Sequence, residues 1–199
     1  MPSVVLLAGS PSYPSRSTTL LDRASTLLLE QSFSIQWFSL TDFPAEDLIQ
    51  ANWKSVAVHR FIDAIANSHG LIVATPVYKA AYSGALKTVL DLLPEQALDH
   101  KAALALATGG SSGHLLTLEY ALQPILSALK ARHIINGVYA TDRDFQRQDD
   151  GSYLIAEDIN QRLQNAVERF ITHLPTVHTT VELHPTELNK RIHAARIGI

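Results

Sequence analysis

Cysteine is missing from this 199-residue chain, which excludes disulfides and thiol catalysis. No apolar run approaches the roughly 20 residues needed to span a bilayer. The N-terminus carries no cationic stretch before its brief apolar run, so no secretory leader is expected and the cytoplasm is the expected compartment. Nor does one sign of charge dominate: 16 basic residues stand against 19 acidic ones, for a formal charge of -3. Such a balance offers little to a polyanion, and no nucleic-acid partner is expected. Internal repeats, low-complexity blocks and linker-like stretches are also absent, so the length reads as one main folding unit. Two phosphate-binding signatures are missing as well. No lysine follows a second glycine as in G-x-x-x-x-G-K-[ST], and G-x-G-x-x-G does not occur.

What is present is a hydroxyl-rich loop, GSPSYPSRSTT, at residues 9–19. It follows the apolar run Val4-Val5-Leu6-Leu7-Ala8, the pattern of a buried strand. It precedes Leu20, Leu21, Ala24, Leu27 and Leu28, whose spacing is that of an amphipathic helix. A helix start leaves N–H donors unpaired and carries partial positive charge, so a loop at that point is shaped to receive an anion. Ser10, Ser15, Ser17 and Thr18 can donate hydrogen bonds there, and Arg16 adds charge. Such a loop after a first strand suits the phosphate of a flavin mononucleotide in a flavodoxin-like sheet. The plainer alternative is a set of serines that merely cap the helix.

Downstream, residues 34–38 read as a second, more exposed strand and 41–52 as a polar loop. Val58, Phe61, Ile62 and Ile65 mark a second helix, with Gly70 as its C-terminal glycine. Residues 71–75, LIVAT, form a buried strand. Ser83 is placed to cap a helix whose apolar face is Leu86, Val89, Leu90 and Leu93, stopped by Pro94. A fourth strand at 102–107 enters a second loop, TGGSSGH, at 108–114. A helix over about 115–129, a fifth strand around 134–140 and a last helix carrying Ile159, Leu163, Val167 and Phe170 complete the pattern. Strands alternating with helices imply a three-layer α/β fold with a parallel sheet covered on both faces. Five such strands suggest the order 2-1-3-4-5, whose ligand crevice lies beyond the carboxyl ends of strands 1 and 3. The loops after strands 1, 3 and 4 converge there, and they are the chemically unusual ones.

GSPSYPSRS, ATPVYKAAYSGALKTVLDLLP and LATGGSSGHLL resemble the NAD(P)H-dependent FMN reductases. The second stretch resembles the flavin reductases of bacterial alkanesulfonate utilisation. The likeness runs from Val4 to about Leu174. It implies a flavodoxin-like FMN reductase domain over residues 1–174, with FMN, as cofactor or substrate, reduced by NADPH or NADH. It implies a homodimer or homotetramer, and a partner: a flavin-dependent sulfonate monooxygenase of the sulfur-starvation system, which receives FMNH2 and releases sulfite. Carried onto this sequence, Ser10, Ser15, Arg16, Ser17 and Thr18 would hold the FMN phosphate. Pro76, Val77, Tyr78 and Lys79 would line the isoalloxazine, with Ser83 and Gly84 beneath. Thr108, Gly109, Gly110 and Ser111 would approach its pyrimidine edge. Where many relatives carry an arginine, this loop has Ser12, which leaves Arg16 as its cation. Gly109 and Gly110 are expected to let main chain approach the ring where a Cβ would obstruct it. The cofactors carry hydride transfer themselves, so no catalytic residue is named.

Pro124 lies four residues after Tyr120 and has no N–H for its carbonyl, so the 115–129 helix must distort. Two outcomes are open: a kink with Tyr120 in the core or at an interface, or a π-bulge. The sulfonate-system reductases have a similar tyrosine in a π-helix at a subunit interface. Leucines on both faces of this helix (Leu115, Leu116, Leu118 and Leu122) favour an oligomer. Lys79 and His114 are candidates for nucleotide contacts or plain solvated residues. Residues 175–199 read as a tail or an arm on a neighbouring subunit. His178, His184 and His193 lack the spacing of a metal site, and no metal is expected. Two rival functions stand beside the reductase. One is a serine hydrolase, since residues 109–113 satisfy G-x-S-x-G, with Ser111 as nucleophile and Asp142 or Asp144 and His173 as partners. The other is a flavodoxin-like electron carrier, a class usually far more acidic than -3.

Overall fold

The computed structural model describes residues 1–175, so nearly all of the expected tail or arm at 175–199 lies outside the described residues. Five parallel strands form the central sheet: β1 (Ser3–Ala8), β2 (Ser34–Ser39), β3 (Gly70–Tyr78), β5 (Ala102–Gly109) and β6 (His133–Thr141). Their order is β2-β1-β3-β5-β6, while β4 (Ala81–Tyr82) folds back antiparallel on the end of β3. Counting parallel strands alone, this is the expected 2-1-3-4-5. The fold is flavodoxin-like. Because β1, β3 and β5 have neighbours on both edges and helices on both faces, they are buried along most of their length. Strand β2 lies at the sheet edge and is only partly covered.

Side-chain alternation along β1 divides the core. Val4, Leu6 and Ala8 pack with α1 (Arg16–Glu30) and α6 (Glu157–Thr172). Val5 and Leu7 pack on the other face with α3 (Val56–Ala66) and α4 (Gly84–Leu90). Phe61 of α3 anchors that second layer, meeting Phe38 edge-on at 5.0 Å and Phe43 at 5.6 Å. Among the described residues, no helix is long and apolar enough to cross a membrane.

Several local expectations change. The 41–52 segment is not all loop: it holds α2 (Ala45–Ile49) after a 3-10 turn in which Asp42 accepts from the Ser39 N–H at 2.6 Å. Acidic Glu46 and Asp47 favour the start of this short polar helix, which leaves no hydrophobic period to read. Gly70 does not cap α3, which ends at Ala66; it opens β3 instead. A Cβ there would lie 2.6 Å from Phe170 Cζ and 2.9 Å from the Ala102 carbonyl oxygen, so the glycine makes room for α6. Helix α4 ends at Leu90, and Leu93 stays buried in a following turn. The single helix expected over 115–129 is instead a π-helical turn at Leu118–Leu122 followed by α5 (Gln123–Ala128), with a 3-10 turn at Ser112–His114 ahead of it. Pro124 sits in the first turn of α5, where its missing N–H costs nothing.

Two further features carried no sequence signal. The β7–β8 hairpin (Phe145–Arg147 and Tyr153–Ile155) has strands too short for a visible period. The β5–β6 register slips between Leu104 and Leu106, so Leu104 pairs with Ile135 but Leu106 with Val138. At this bulge a Cβ on Gly137 would collide with the Ala105 carbonyl. The slip reverses the facing of the later β6 residues, and Tyr139 turns into the α3–α4 side of the core.

Phe170 is fully buried where α6 closes over the start of β3. Phe170→Ala should lower the unfolding free energy by about 3–5 kcal/mol, the cost of a large aromatic cavity. Denaturant unfolding measures this, and a loss below about 1 kcal/mol would show that the site collapses freely.

Candidate functional site

The loops after β1, β3 and β5 border one cleft of about 320 Å³, a size ordinary for a small-molecule site. Ser10, Ser15, Arg16 and Ser17 line one end, together with Ser12 and Pro14. Pro76, Val77 and Tyr78 form one wall, and Thr108, Gly109 and Gly110 another. Asp142 and Tyr153, from the chain after β6, close the remaining side.

The first loop is held by its own hydroxyls. Ser15 Oγ accepts from the Thr18 N–H at 3.1 Å, and the Ser15 N–H donates to Thr18 Oγ1 at 2.9 Å. This reciprocal cap starts α1 and aims its free N–H groups at the cleft. Thr18 is absorbed by the cap and, unlike the other phosphate candidates, does not line the cleft. Arg16 is the first residue of the helix. Its Nη1 lies 3.5 Å from Asp142 Oδ1, and its guanidinium carbon sits 5.3 Å from the Tyr153 ring centroid. Its Nε is buried and has no hydrogen-bond partner. An orphaned cationic donor beside a helix start and the hydroxyls of Ser10 and Ser17 fits the phosphate of FMN.

The β3–β4 hairpin turns on Lys79 and Ala80, both in the left-handed region at φ 50° and 63°. That is the geometry of a two-residue type I′ turn, made here without glycine or asparagine. Lys79 is exposed at the tip, outside the cleft lining. Ser83 is buried and also outside the lining. Its Oγ donates to the Gly9 carbonyl at 2.6 Å and accepts from the Leu86 N–H at 3.1 Å, so it ties two loops together and caps α4. Gly84 follows it with open space around it.

Gly109 is required by the protein's own packing. A Cβ on Gly109 would collide with the Tyr139 hydroxyl and lie 3.3 Å from Val77 Cβ, so this glycine yields to protein. Gly110 has nothing within 4 Å. Tyr139 donates to the Ser111 carbonyl at 2.7 Å and so pins the loop after β5, with Ser111 itself outside the cleft lining. Burial first, and the Asp142 carboxylate second, hold the Tyr139 phenol above its usual range.

The hydrolase constellation is not assembled. Asp144 Oδ2 accepts from the Thr141 N–H and hydroxyl at 2.6 and 2.8 Å, and Asp142 pairs with Arg16. His173 packs on His133 at 5.0 Å, beside the start of β6, whereas Ser111 follows the carboxyl end of β5. The sheet separates the two. His114 closes the 3-10 turn after Ser111. Among the described residues, no group of three or more His, Asp or Glu is arranged to hold a metal ion.

Asp142 and Tyr153 in the cleft, and Tyr139 behind it, are the residues that the sequence did not reveal as such. Only the β6 bulge and the β7–β8 pairing bring them in, and neither leaves a local pattern.

A flavodoxin-like sheet with an anion-receiving loop after β1 and two more loops closing on the same cleft defines the mononucleotide-binding class. The sequence profile of the NADPH-dependent FMN reductases matches residues 2–146, and the chain belongs to that family. It is an oxidoreductase that uses FMN with NADPH or NADH. It is 43% identical over 197 residues to an FMN reductase (NADPH) of Pseudomonas putida KT2440, covering 98% of this chain and 99% of that one. It is 48% identical over 170 residues to an FMN reductase (NADPH) of Escherichia coli K12, covering 84% and 87% of the two chains. The crystal structure of an NADH:FMN oxidoreductase, EMOB, in its apo form superposes with a TM-score of 0.80 at 34% identity, covering 90% of this chain and 94% of that one.

The Gly109–Tyr139 contact gives a double-mutant test. Gly109→Ala should cost about 1–3 kcal/mol through overpacking, and Tyr139→Phe about 1 kcal/mol through its hydrogen bond. Together they should cost clearly less than the sum, because the shortened ring leaves room for the methyl. Denaturant unfolding of all four proteins measures the coupling, and strict additivity would remove the collision as the reason for glycine.

Proposed function

We propose that this chain takes FMN as a dissociable substrate, reduces it with NADPH or NADH, and supplies FMNH2 to a flavin-dependent sulfonate monooxygenase for sulfur acquisition. The observation that supports the flavin placement is the buried, unpartnered Nε of Arg16 among the hydroxyls at the start of α1. When bound, FMN supplies the ring that accepts hydride. The residues of the chain bind and orient. Ser10, Ser15, Arg16 and Ser17 take the phosphate, with Thr18 acting through its cap on Ser15. Pro76, Val77 and Tyr78 provide a wall for the isoalloxazine, while Thr108, Gly109 and Gly110 offer backbone N–H groups to its polar edge. Ser83 and Tyr139 keep these walls in place through the Gly9 and Ser111 carbonyls. No side chain is assigned as acid or base.

The monooxygenase partnership rests on the resemblance carried by residues 74–94. The same reading makes the protein a cytoplasmic homodimer or homotetramer joined across the π-helical turn. Tyr120 is 76% exposed there and Leu116 54%, an apolar patch that the described residues leave uncovered.

Aerobic NADPH oxidation by flavin-free protein, titrated with FMN, tests the reductase reading. Saturable turnover that rises with FMN is expected, and no oxidation at any FMN level would overturn it. Sulfite release by a sulfonate monooxygenase should then require the addition of this protein. For the assembly, Tyr120→Ala should sediment as a smaller species than the unaltered chain while keeping its circular dichroism. An unchanged sedimentation coefficient would move the interface elsewhere.

A further inference from the structure

A carboxylate is an odd neighbour for a phosphate. Asp142 borders the same cleft as Arg16 and the serine loop, with Oδ1 3.5 Å from Arg16 Nη1. It is not a stray side chain of a loose loop. The 3-10 turn Asp142–Asp144 follows β6 directly, and Asp144 locks it by accepting from the Thr141 N–H and hydroxyl. The Asp144 carbonyl in turn accepts from the Ala156 N–H at 2.8 Å, which ties the far end of the β7–β8 hairpin to the same turn. The hairpin sets Tyr153 against the Arg16 guanidinium. Arg16 is therefore held by a carboxylate and an aromatic ring, while its Nε has no acceptor.

The arrangement splits the arginine between two anions. A phosphate monoester carries about -1.5 to -2 charges at neutral pH and prefers two parallel N–H donors of one guanidinium. Asp142 holds only Nη1, so the Nε and Nη2 edge stays open to a phosphate, which then shares the guanidinium with a carboxylate that repels it. The Arg16 and Asp142 side chains are 38% and 49% exposed, so their pair is cheap to break and re-form, worth at most about fivefold in an equilibrium constant.

We infer that Asp142 governs flavin exchange: it is a tethered counter-ion that shares Arg16 with the FMN phosphate and weakens the hold on the flavin, by partly neutralising the guanidinium and by like-charge repulsion. This rests on the phosphate position proposed above. The role is one of tuning affinity, with Arg16 as the group acted upon. It gives a substrate-like flavin a physical basis, since a carboxylate beside the phosphate position weakens retention.

The test is flavin binding to flavin-free protein, followed by fluorescence quenching, with FMN and with riboflavin, which lacks the phosphate. Asp142→Asn should tighten FMN binding by about 3- to 10-fold, the loss of a weak ion pair plus relief of like-charge repulsion. Stopped-flow dissociation of FMN should slow in proportion. Riboflavin affinity should not change, and Asp142→Glu, which keeps the carboxylate, should bind FMN much as the unaltered chain does. The gain should shrink at high salt. Weaker FMN binding by Asp142→Asn would mean that Asp142 merely orients Arg16, and would overturn the inference. Equal changes for both flavins, or none for either, would overturn it too. If the unaltered chain bound riboflavin as tightly as FMN, the phosphate placement itself would fall, and the inference with it.

Discussion

The site depends on a hydrogen-bonded seam between two loops distant in sequence. The Gly9 N–H donates to the Ala74 carbonyl at 2.7 Å, the Ser83 hydroxyl donates to the Gly9 carbonyl, and the Ser83 N–H donates to Thr75 Oγ1 at 3.0 Å. All of this is buried, where a backbone group without a partner would be costly. The approach is so close that a Cβ on Gly9 would lie 2.9 Å from the Ala74 oxygen and 3.0 Å from Leu86. With the seam closed, the β1 loop and the β3 loop share one rim, and α1 and α4 both begin beside it. Ser83 serves twice, as helix cap and as crosslink, and so supports the cleft without lining it.

On that rim, local charge does more than net charge. A formal charge of -3 leaves the molecule nearly neutral, yet the start of α1 concentrates free N–H groups, hydroxyls and one guanidinium at a single point. The surrounding shell is built from chain far downstream. Tyr139 holds the loop after β5, while Asp142 and Tyr153 hold Arg16. Because these contacts come from elements anchored to β6, the placement of Arg16 is coupled to the edge of the sheet. Arg16 on its own α1 would be a flexible side chain. Against the Tyr153 ring it becomes an oriented one, with Asp142 a weak, exchangeable partner at Nη1.

Much of this architecture is legible in the order of the residues. Near-continuous apolar runs mark β1, β3 and β5, since a central parallel strand must be apolar on both faces. The hydroxyl-rich loop and a leucine stripe mark the start of α1, and Pro124 signals a distortion near Tyr120. Thr18 shows where such reading misleads. Its hydroxyl looks available because composition records donors without recording what they already bind, and the cap uses it. Gly70 and Gly109 mislead in a similar way. Each glycine is visible, but Phe170 and Tyr139, the side chains it makes room for, lie tens of residues away.

The chain taken as a string settles the layer count, the strand order and the three loops that meet at the crevice. Those follow from periodicity and from the few ways parallel strands can be connected. The folded chain alone decides which groups in those loops remain free. The β6 bulge turns Tyr139 toward Gly109, and the β7–β8 hairpin delivers Tyr153 to Arg16. Both depend on register. A slip of one residue moves every later side chain of the strand to the opposite face, and the interactions that set it are long-range pairings with no signature in neighbouring residues.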